Sequence, residues 1–335
     1  IYLYKKYYKL ILRKNEIEKI KTLFDKIERY IMMEYKIHIS ITNIILRNIA
    51  ALIMSFKYAY KTLKKVNPKV LYVECAYSNV HLPFIYAAKK IGVKIVEFQH
   101  GIVTKKHLGY MFNYKDMLKD PIPDYICVYG KYFGDLLKEI NPKLNSQIIE
   151  YGYPYLYEQI INNITNKENK YKYIITTQGE YNRNNWIDFL MELVQIDKQS
   201  KILVKLHPSE VNYYKQYYSE LIDNDRIEFD SDRNLYECLQ MSEIHLSCFS
   251  TCHYEALCLN KKTVVIMFPG WENVKVLKEY GVDFILNPKE LLNLSYNKNS
   301  ILFDKFKKDF FNIDDKLTHE YIEKKINNIN EYFIQ

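Results

Sequence analysis

The sequence predicts an α/β protein made of two doubly wound halves, and three observations carry that prediction. Short apolar runs alternate with helix-like segments in two separate series, as in parallel strands joined by helical crossovers. A polar, Asn- and Lys-rich stretch, INNITNKENKYK at about 160–172, divides the two series and reads as a linker. At 335 residues, the chain is too long for one ordinary core and comfortable for two.

The elements follow in order. Residues 1 to about 65 read as helices, with apolar positions three and four apart. VLYVECA (70–76) is a strand, HLPFIYAAKKIG a helix with a glycine stop, and KIVEF the next strand. DYICVYG (124–130) continues the sheet, KYFGDLLKEI is a helix, and QIIEYGYP (147–154) closes this half. The second series opens on YIITTQ as a strand and NWIDFLMELVQI as a helix. KILVKLHP, RIEFDSD, EIHLSC, TVVIMFP and DFILNP are the strands that follow. VNYYKQYYSELI, NLYECLQM, STCHYEALCL and WENVKVLKEYG are the helices between them.

Composition narrows the classes. Hydrophobic residues make up 48% and charged residues 26%, and only 9 glycines occur, which excludes solenoids and low-complexity filaments. The formal charge is +8, and the opening IYLYKKYYKLILRK is basic and aromatic. Such a segment suits an anionic membrane surface, and equally a solvated helix face. No nucleic-acid-binding module is present. The six cysteines show no metal-ligand spacing, so free thiols in a reducing compartment are expected. The best candidate for a membrane span, ISITNIILRNIAALIMSF, is interrupted by Asn43, Arg47 and Asn48. A cytoplasmic protein in peripheral contact with the inner membrane is the expectation.

Four strand ends carry chemistry. EFQHG (97–101) puts His100 at the carboxyl end of a parallel strand, where such sheets place their sites. Gly101 offers a tight turn and close approach of a ligand. An imidazole accepts a proton near neutral pH, so His100 is the candidate base, with Glu97 to orient or replace it. Alternation puts Glu97 and His100 on opposite faces unless the chain turns by Gln99. VKLHPSE (204–210) brings His207 to a second strand end, where Pro208 stops the strand. In HLSCFSTCHYEAL (245–257), Ser250 and Thr251 open a helix, where free N–H groups and hydroxyls can hold an anion or Ser250 can simply cap. Glu255, one turn on, is placed to accept from a ribose diol. TTQGE (176–180) offers Gln178 and Gly179 on the phosphate path. FDSD (229–232) has the look of a metal motif, but Asp230, Ser231 and Asp232 precede a helix and capping accounts for them. No metal and no cofactor is expected, and neither a P-loop, GxGxxG after the first strand, nor GxSxG occurs.

The QHG turn, the HP turn and the Ser/Thr-then-Glu helix start, in this order, resemble bacterial surface-polysaccharide glycosyltransferases of the GT-B class over about residues 70–290. These include sialyltransferases, Kdo transferases and CDP-glycerol glycerophosphotransferases of capsule, lipopolysaccharide and teichoic acid assembly. The resemblance implies two Rossmann-like domains facing a cleft. Residues 1–160 would form the acceptor-side domain with its helical N-terminal segment, and 170–335 the nucleotide-sugar-binding domain. It implies an inverting, metal-independent transfer from an activated donor, CMP-sialic acid or CMP-Kdo foremost, to a glycan or lipid-linked acceptor. His207, Ser250 and Thr251 would hold the donor phosphate and the N-terminal half would supply the base. The acidic motif of the sialyltransferases is absent, and QHG stands closer to the histidine-glycine turn of the Kdo and glycerophosphate enzymes. A CDP-polyol phosphotransferase, a UDP-sugar 2-epimerase and a non-catalytic carbohydrate-binding subunit are the alternatives.

Overall fold

The computed structural model describes residues 8–111, 122–142, 144, 146–162, 169–294, 300–313 and 317–334. Residues 1–7 of the basic opening segment and 163–168 of the expected linker lie outside them. Helices α1 (Lys14–Tyr35) and α2 (Thr42–Val66) lead into the first sheet. No described helix is long and apolar enough to cross a membrane.

The first sheet contains β1 (Val70–Val73), β2 (Lys94–Phe98), β3 (Tyr125–Val128) and β4 (Gln147–Glu150), all parallel and in that order. Helices α3 (Leu82–Ile91), α4 (Lys131–Ile140) and α5 (Pro154–Asn162) accompany it. Alternation divides its residues between two faces. Ile95 and Val73 pack with Ile85 and Ala88 of α3 and with Leu63 of α2. Val96 and Cys127 face the other way, onto Phe333.

The second sheet contains β5 (Tyr171–Thr176), β6 (Ile202–Lys205), β7 (Ile227–Asp230), β8 (Ser242–Ser247), β9 (Lys262–Ile266) and β10 (Asp283–Ile285). Its parallel strands run β10-β9-β8-β5-β6-β7. The chain winds outward from β5 to β7, then returns to lay β8 on the other side of β5. That reversal opens a crevice at the carboxyl ends of β5 and β8. Its helices are α6 (Arg183–Ile196), α7 (Tyr214–Tyr217), α8 (Leu235–Gln240), α9 (Cys252–Cys258) and α10 (Pro288–Leu292). Trp186, Leu190 and Leu193 of α6 fill the core against Ile175, Val204 and Leu246.

Two expected helices differ. The VNYYKQYYSELI segment is helical only over Tyr214–Tyr217, because Tyr218 turns inward to donate to the buried Glu210 carboxylate at 2.9 Å. WENVKVLKEY is a 3₁₀ run broken at Val274, whose side chain is buried.

The chain ends in α11 (Ser300–Phe311), α12 (His319–Asn327) and α13 (Ile329–Ile334). Phe310 of α11 stacks on Tyr132 of the first half, with ring centroids 4.2 Å apart, and meets Tyr254 of the second half at 5.3 Å. One apolar cluster therefore runs from Ile126 and Phe133 through Phe306 and Phe310 to Leu257 and Val265. Each such aromatic contributes about 1.5–3 kcal/mol when fully buried. Phe333 of α13 lies on the first sheet, 5.0 Å from Tyr125. The last helices thus pack against both halves of the chain.

Candidate functional site

The crevice at the β5–β8 reversal encloses about 680 Å³. Gln178, His207, Pro208, Ser250 and Thr251 all line it, so the structure gathers five of the residues singled out from sequence. Their states differ. Gln178 is committed to the fold: its Nε2 donates to the Thr176 carbonyl at 2.8 Å and to Ser247 Oγ, and its Oε1 accepts from Trp186 Nε1 at 3.2 Å. It clasps β5 to β8 across the reversal and closes the crevice floor.

The HP turn is built from beneath. Thr177 Oγ1 donates to Glu210, which is fully buried, and accepts from the His207 backbone N–H at 2.8 Å. His207 Nδ1 accepts from the Ser209 backbone N–H at 3.2 Å. In the neutral ring that bond puts the proton on Nε2, which is left as a donor. Gly179 adopts φ +71°, and a Cβ there would sit 2.7 Å from Ser209 Oγ. Only glycine lets the two strand ends approach this closely.

At the helix start, Ser250 Oγ accepts from the Cys252 N–H at 3.2 Å in the turn before α9, while the N-cap residue Thr251 makes no side-chain cap and is exposed. Below it, two buried histidines brace the reversal. His245 bonds Thr176 Oγ1 at 2.9 Å and Thr263 Oγ1 at 2.7 Å, and His253 bonds the same Thr263 hydroxyl at 2.7 Å. Burial pushes His253 down to about 4, so it is neutral at pH 7.

FDSD holds no free carboxylate pair. Asp230 meets Lys205 Nζ at 3.0 Å and Arg233 Nη1 at 3.4 Å. The expected cap is corrected: Asn234 caps α8, accepting from Glu237 N–H at 2.8 Å, and Asp230 accepts from Arg233 N–H in the preceding turn. Among the described residues, no cluster of three or more His, Cys, Asp or Glu could hold a metal ion.

A second, smaller cavity of about 60 Å³ lies between the halves. His100 and Gly101 enter it from the first half, Thr251 and Glu255 from the second, with Tyr129, Tyr153 and Phe311 as walls. Thr251 lines both cavities, which are therefore neighbours. Gly101 adopts no left-handed conformation, and a Cβ there would meet nothing within 4 Å. The chain bends at Gly101 without the left-handed conformation that only glycine favours, and the space above it is open. Glu255 lies in this cavity and not in the larger one. Burial raises its carboxyl to about 7, against the Tyr236 hydroxyl beside it.

Glu97 lies beneath this site and is fully buried on the helix-covered face of β2. Its Oε1 accepts from the Ala76 N–H and from the Tyr110 hydroxyl, both at 3.0 Å. His100 instead meets Tyr77, so Glu97 is not its hydrogen-bond partner. Burial lifts Glu97 to about 7, against the two donors that favour the anion. Between an unfolded-state value near 4.5 and about 7, the folded chain holds more protons than the unfolded chain. Stability contributed by Glu97 is therefore full below pH 4.5 and falls as the pH rises through about 7. The melting temperature is expected to drop between pH 5 and pH 8. Glu97→Gln is expected to flatten that drop, and thermal unfolding at the two pH values measures it. An equal drop in both proteins would remove Glu97 as a source.

Sequence reasoning did not single out Glu210, Tyr77, His107 or the walls Tyr129, Tyr153 and Phe311. Glu210 had a signal, a carboxylate three residues after the HP histidine. The tyrosines had none, being a few among 33.

No family model matches the sequence, and no curated protein does. Solved structures do match in fold. UDP-GlcNAc 2-epimerase from Neisseria meningitidis, bound to UDP-GlcNAc, gives a TM-score of 0.56 at 12% identity, covering 86% of this chain and 81% of that one. The S. aureus MnaA–UDP co-structure gives 0.54 at 15% identity, covering 84% and 79%. The wall teichoic acid polymerase TagF with CDPG gives 0.50 at 13% identity, covering 79% and 73%. The fold is thus the GT-B arrangement of two Rossmann-like domains. At these identities the likeness is one of fold.

Proposed function

We propose that the protein is an inverting, metal-independent glycosyltransferase that moves a sugar from a nucleotide-activated donor to a surface-glycan or lipid-linked acceptor. The observation that carries this reading is Thr251, which lines both a nucleotide-sized crevice in the second half and a cavity holding His100 from the first, so that the two are neighbours. The donor occupies the crevice, with its phosphate against His207, Ser250 and Thr251. His207 Nε2–H donates to that phosphate, and the backbone at the start of α9 adds partial positive charge. The sugar reaches toward the smaller cavity. There His100 takes the proton of the acceptor hydroxyl, whose oxygen attacks the anomeric carbon from the opposite side. The bond from that carbon to the phosphate oxygen breaks, and the nucleotide leaves with the electron pair. Glu255 accepts from donor hydroxyls.

Two sets of fold neighbours support a nucleotide-linked substrate: those solved with UDP or UDP-GlcNAc, and the polymerase solved with CDPG. CMP-sialic acid and CMP-Kdo are the donors that the sequence resemblance favours, with a CDP-linked polyol as the alternative. The epimerase neighbours also support a second reading, isomerisation of a free UDP-sugar.

Product analysis by mass spectrometry separates these readings. The protein is incubated with each donor in EDTA, with and without glycan acceptor. The expected result is released nucleotide and an elongated acceptor, both needing acceptor and neither needing metal. Isomerised donor without acceptor would select the epimerase. Loss of transfer in EDTA, restored by Mg²⁺ or Mn²⁺, would return FDSD to consideration.

A further inference from the structure

Beneath the crevice, β5, β8, β9 and α9 share a buried line of polar side chains that the proposed reaction has not used. His245 of β8 lies opposite Thr263 of β9 in the parallel pairing, so both point to the same face of the sheet. Helix α9 lays His253 on that face, with the two imidazole centroids 4.9 Å apart. Both rings are fully buried. Thr176 Oγ1 lies 2.9 Å from His245 Nε2, and His245 Nδ1 lies 2.7 Å from Thr263 Oγ1. Thr263 Oγ1 lies 2.7 Å from His253 Nδ1, and His253 Nε2 lies 3.3 Å from the Cys248 carbonyl. Both ends of this line reach the crevice. Thr176 lines it, and Cys248 is followed directly by Phe249, Ser250 and Thr251, which line it too.

The carbonyl end fixes the protons. A carbonyl oxygen only accepts, so His253 Nε2 carries a proton. Complete burial keeps both rings neutral, and for His253 it outweighs the Cys248 and Ser247 carbonyls that favour the charged form. His253 Nδ1 is therefore bare and accepts from the Thr263 hydroxyl. A hydroxyl has one proton, so Thr263 Oγ1 in turn accepts from His245 Nδ1–H. His245 Nε2 is then bare and accepts from the Thr176 hydroxyl. The reverse order would set the His253 Nε2 lone pair against the carbonyl oxygen, and in a buried site such an unmade bond is costly.

From this line of bonds we infer that His253 and His245, ordered by Thr263, are positioning residues that hold the Cys248 carbonyl, and so the Phe249–Ser250–Thr251 turn, in place beside the end of β5 to receive the donor phosphate. Neither imidazole lines either cavity, so each acts through the turn. The inference rests on the proposed nucleotide site, but the proton order is a property of the free protein.

Nitrogen-15 spectra of the histidine side chains, with both rings assigned through their own carbon resonances, test the order at pH 7. The expected spectrum shows neutral His253 protonated at Nε2 and neutral His245 protonated at Nδ1. Thr263→Val keeps the shape of the side chain and removes the hydroxyl. It is expected to weaken binding of the pyrimidine nucleotide about tenfold, the order of one neutral hydrogen bond. Thr263→Ser, which keeps the hydroxyl, is expected to retain both the affinity and the proton order. The spectrum of the unaltered protein needs no variant, so it decides the order even where Thr263→Val fails to fold. His253 protonated at Nδ1, or His245 at Nε2, in the unaltered protein would overturn the inference, whatever ligand binds. So would a folded Thr263→Val protein with unchanged nucleotide affinity, because the line would then serve stability alone. The expected order in a protein that binds none of CMP, CDP, UDP, GDP and ADP would uphold the proton order and remove the nucleotide reading instead.

Discussion

His100→Ala is expected to lower transfer by about 10²–10⁴, the range supplied by a positioned general base, while donor-nucleotide affinity stays nearly unchanged. The separation follows from geometry. His100 lines only the smaller cavity, and the crevice proposed for the nucleotide is lined by the second half. The His100 side chain is exposed, so its truncation should leave the core intact. Single-turnover kinetics together with titration of the nucleotide measure the two effects on one sample. Normal turnover in the variant would remove His100 from the mechanism and point to Glu255, the carboxyl group lining that cavity, as base.

His207→Ala is expected to weaken nucleotide binding and turnover together. A hydrogen bond to a charged group is worth about 1.5–3 kcal/mol, which corresponds to about 10- to 100-fold in affinity. The turn itself should survive, because only the Ser209 N–H bond passes through the ring and two other anchors do not. His207 N–H is held by Thr177, and Glu210 N–H donates to the His207 carbonyl at 2.9 Å. Calorimetric titration measures the loss, and unchanged affinity would make the HP turn purely structural. Thr177→Val should produce a similar loss by another route, since it removes the hydroxyl that links the turn to Glu210.

The contrast between these residues shows what the sequence makes legible. Strand ends were readable because apolar runs stop where polar and turn-forming residues begin, and a parallel sheet collects those ends on one edge. His100, His207 and Thr251 were found that way. The fate of a side chain just inside such an end is not set by period. Alternation gave Glu97 a face, but the Tyr110 hydroxyl and the Ala76 N–H that hold it come from loops distant in sequence. Gln178 looked like a ligand group for the same reason that it is a clasp: an amide has donors and an acceptor, and Ser247 and Trp186 reach them only once β8 lies beside β5. Glu255 was placed with a ribose because it follows Thr251 by about one turn, yet helix α9 carries it toward the other cavity. The terminal helices, beyond the last strand read from the sequence, find their partners only in the folded chain, where Phe333 covers the first sheet.

The central claim is that the crevice at the β5–β8 reversal binds a nucleotide. A thermal-shift panel with CMP, CDP, UDP, GDP and ADP, without added metal, tests it most directly, because a ligand that binds only the folded state raises the melting temperature. The account predicts a clear shift with a pyrimidine nucleotide and its reduction in His207→Ala. A shift with CMP alone selects a sialic acid or Kdo donor, CDP selects polyol-phosphate transfer, and UDP selects the UDP-sugar readings. No shift with any of the five would contradict the account.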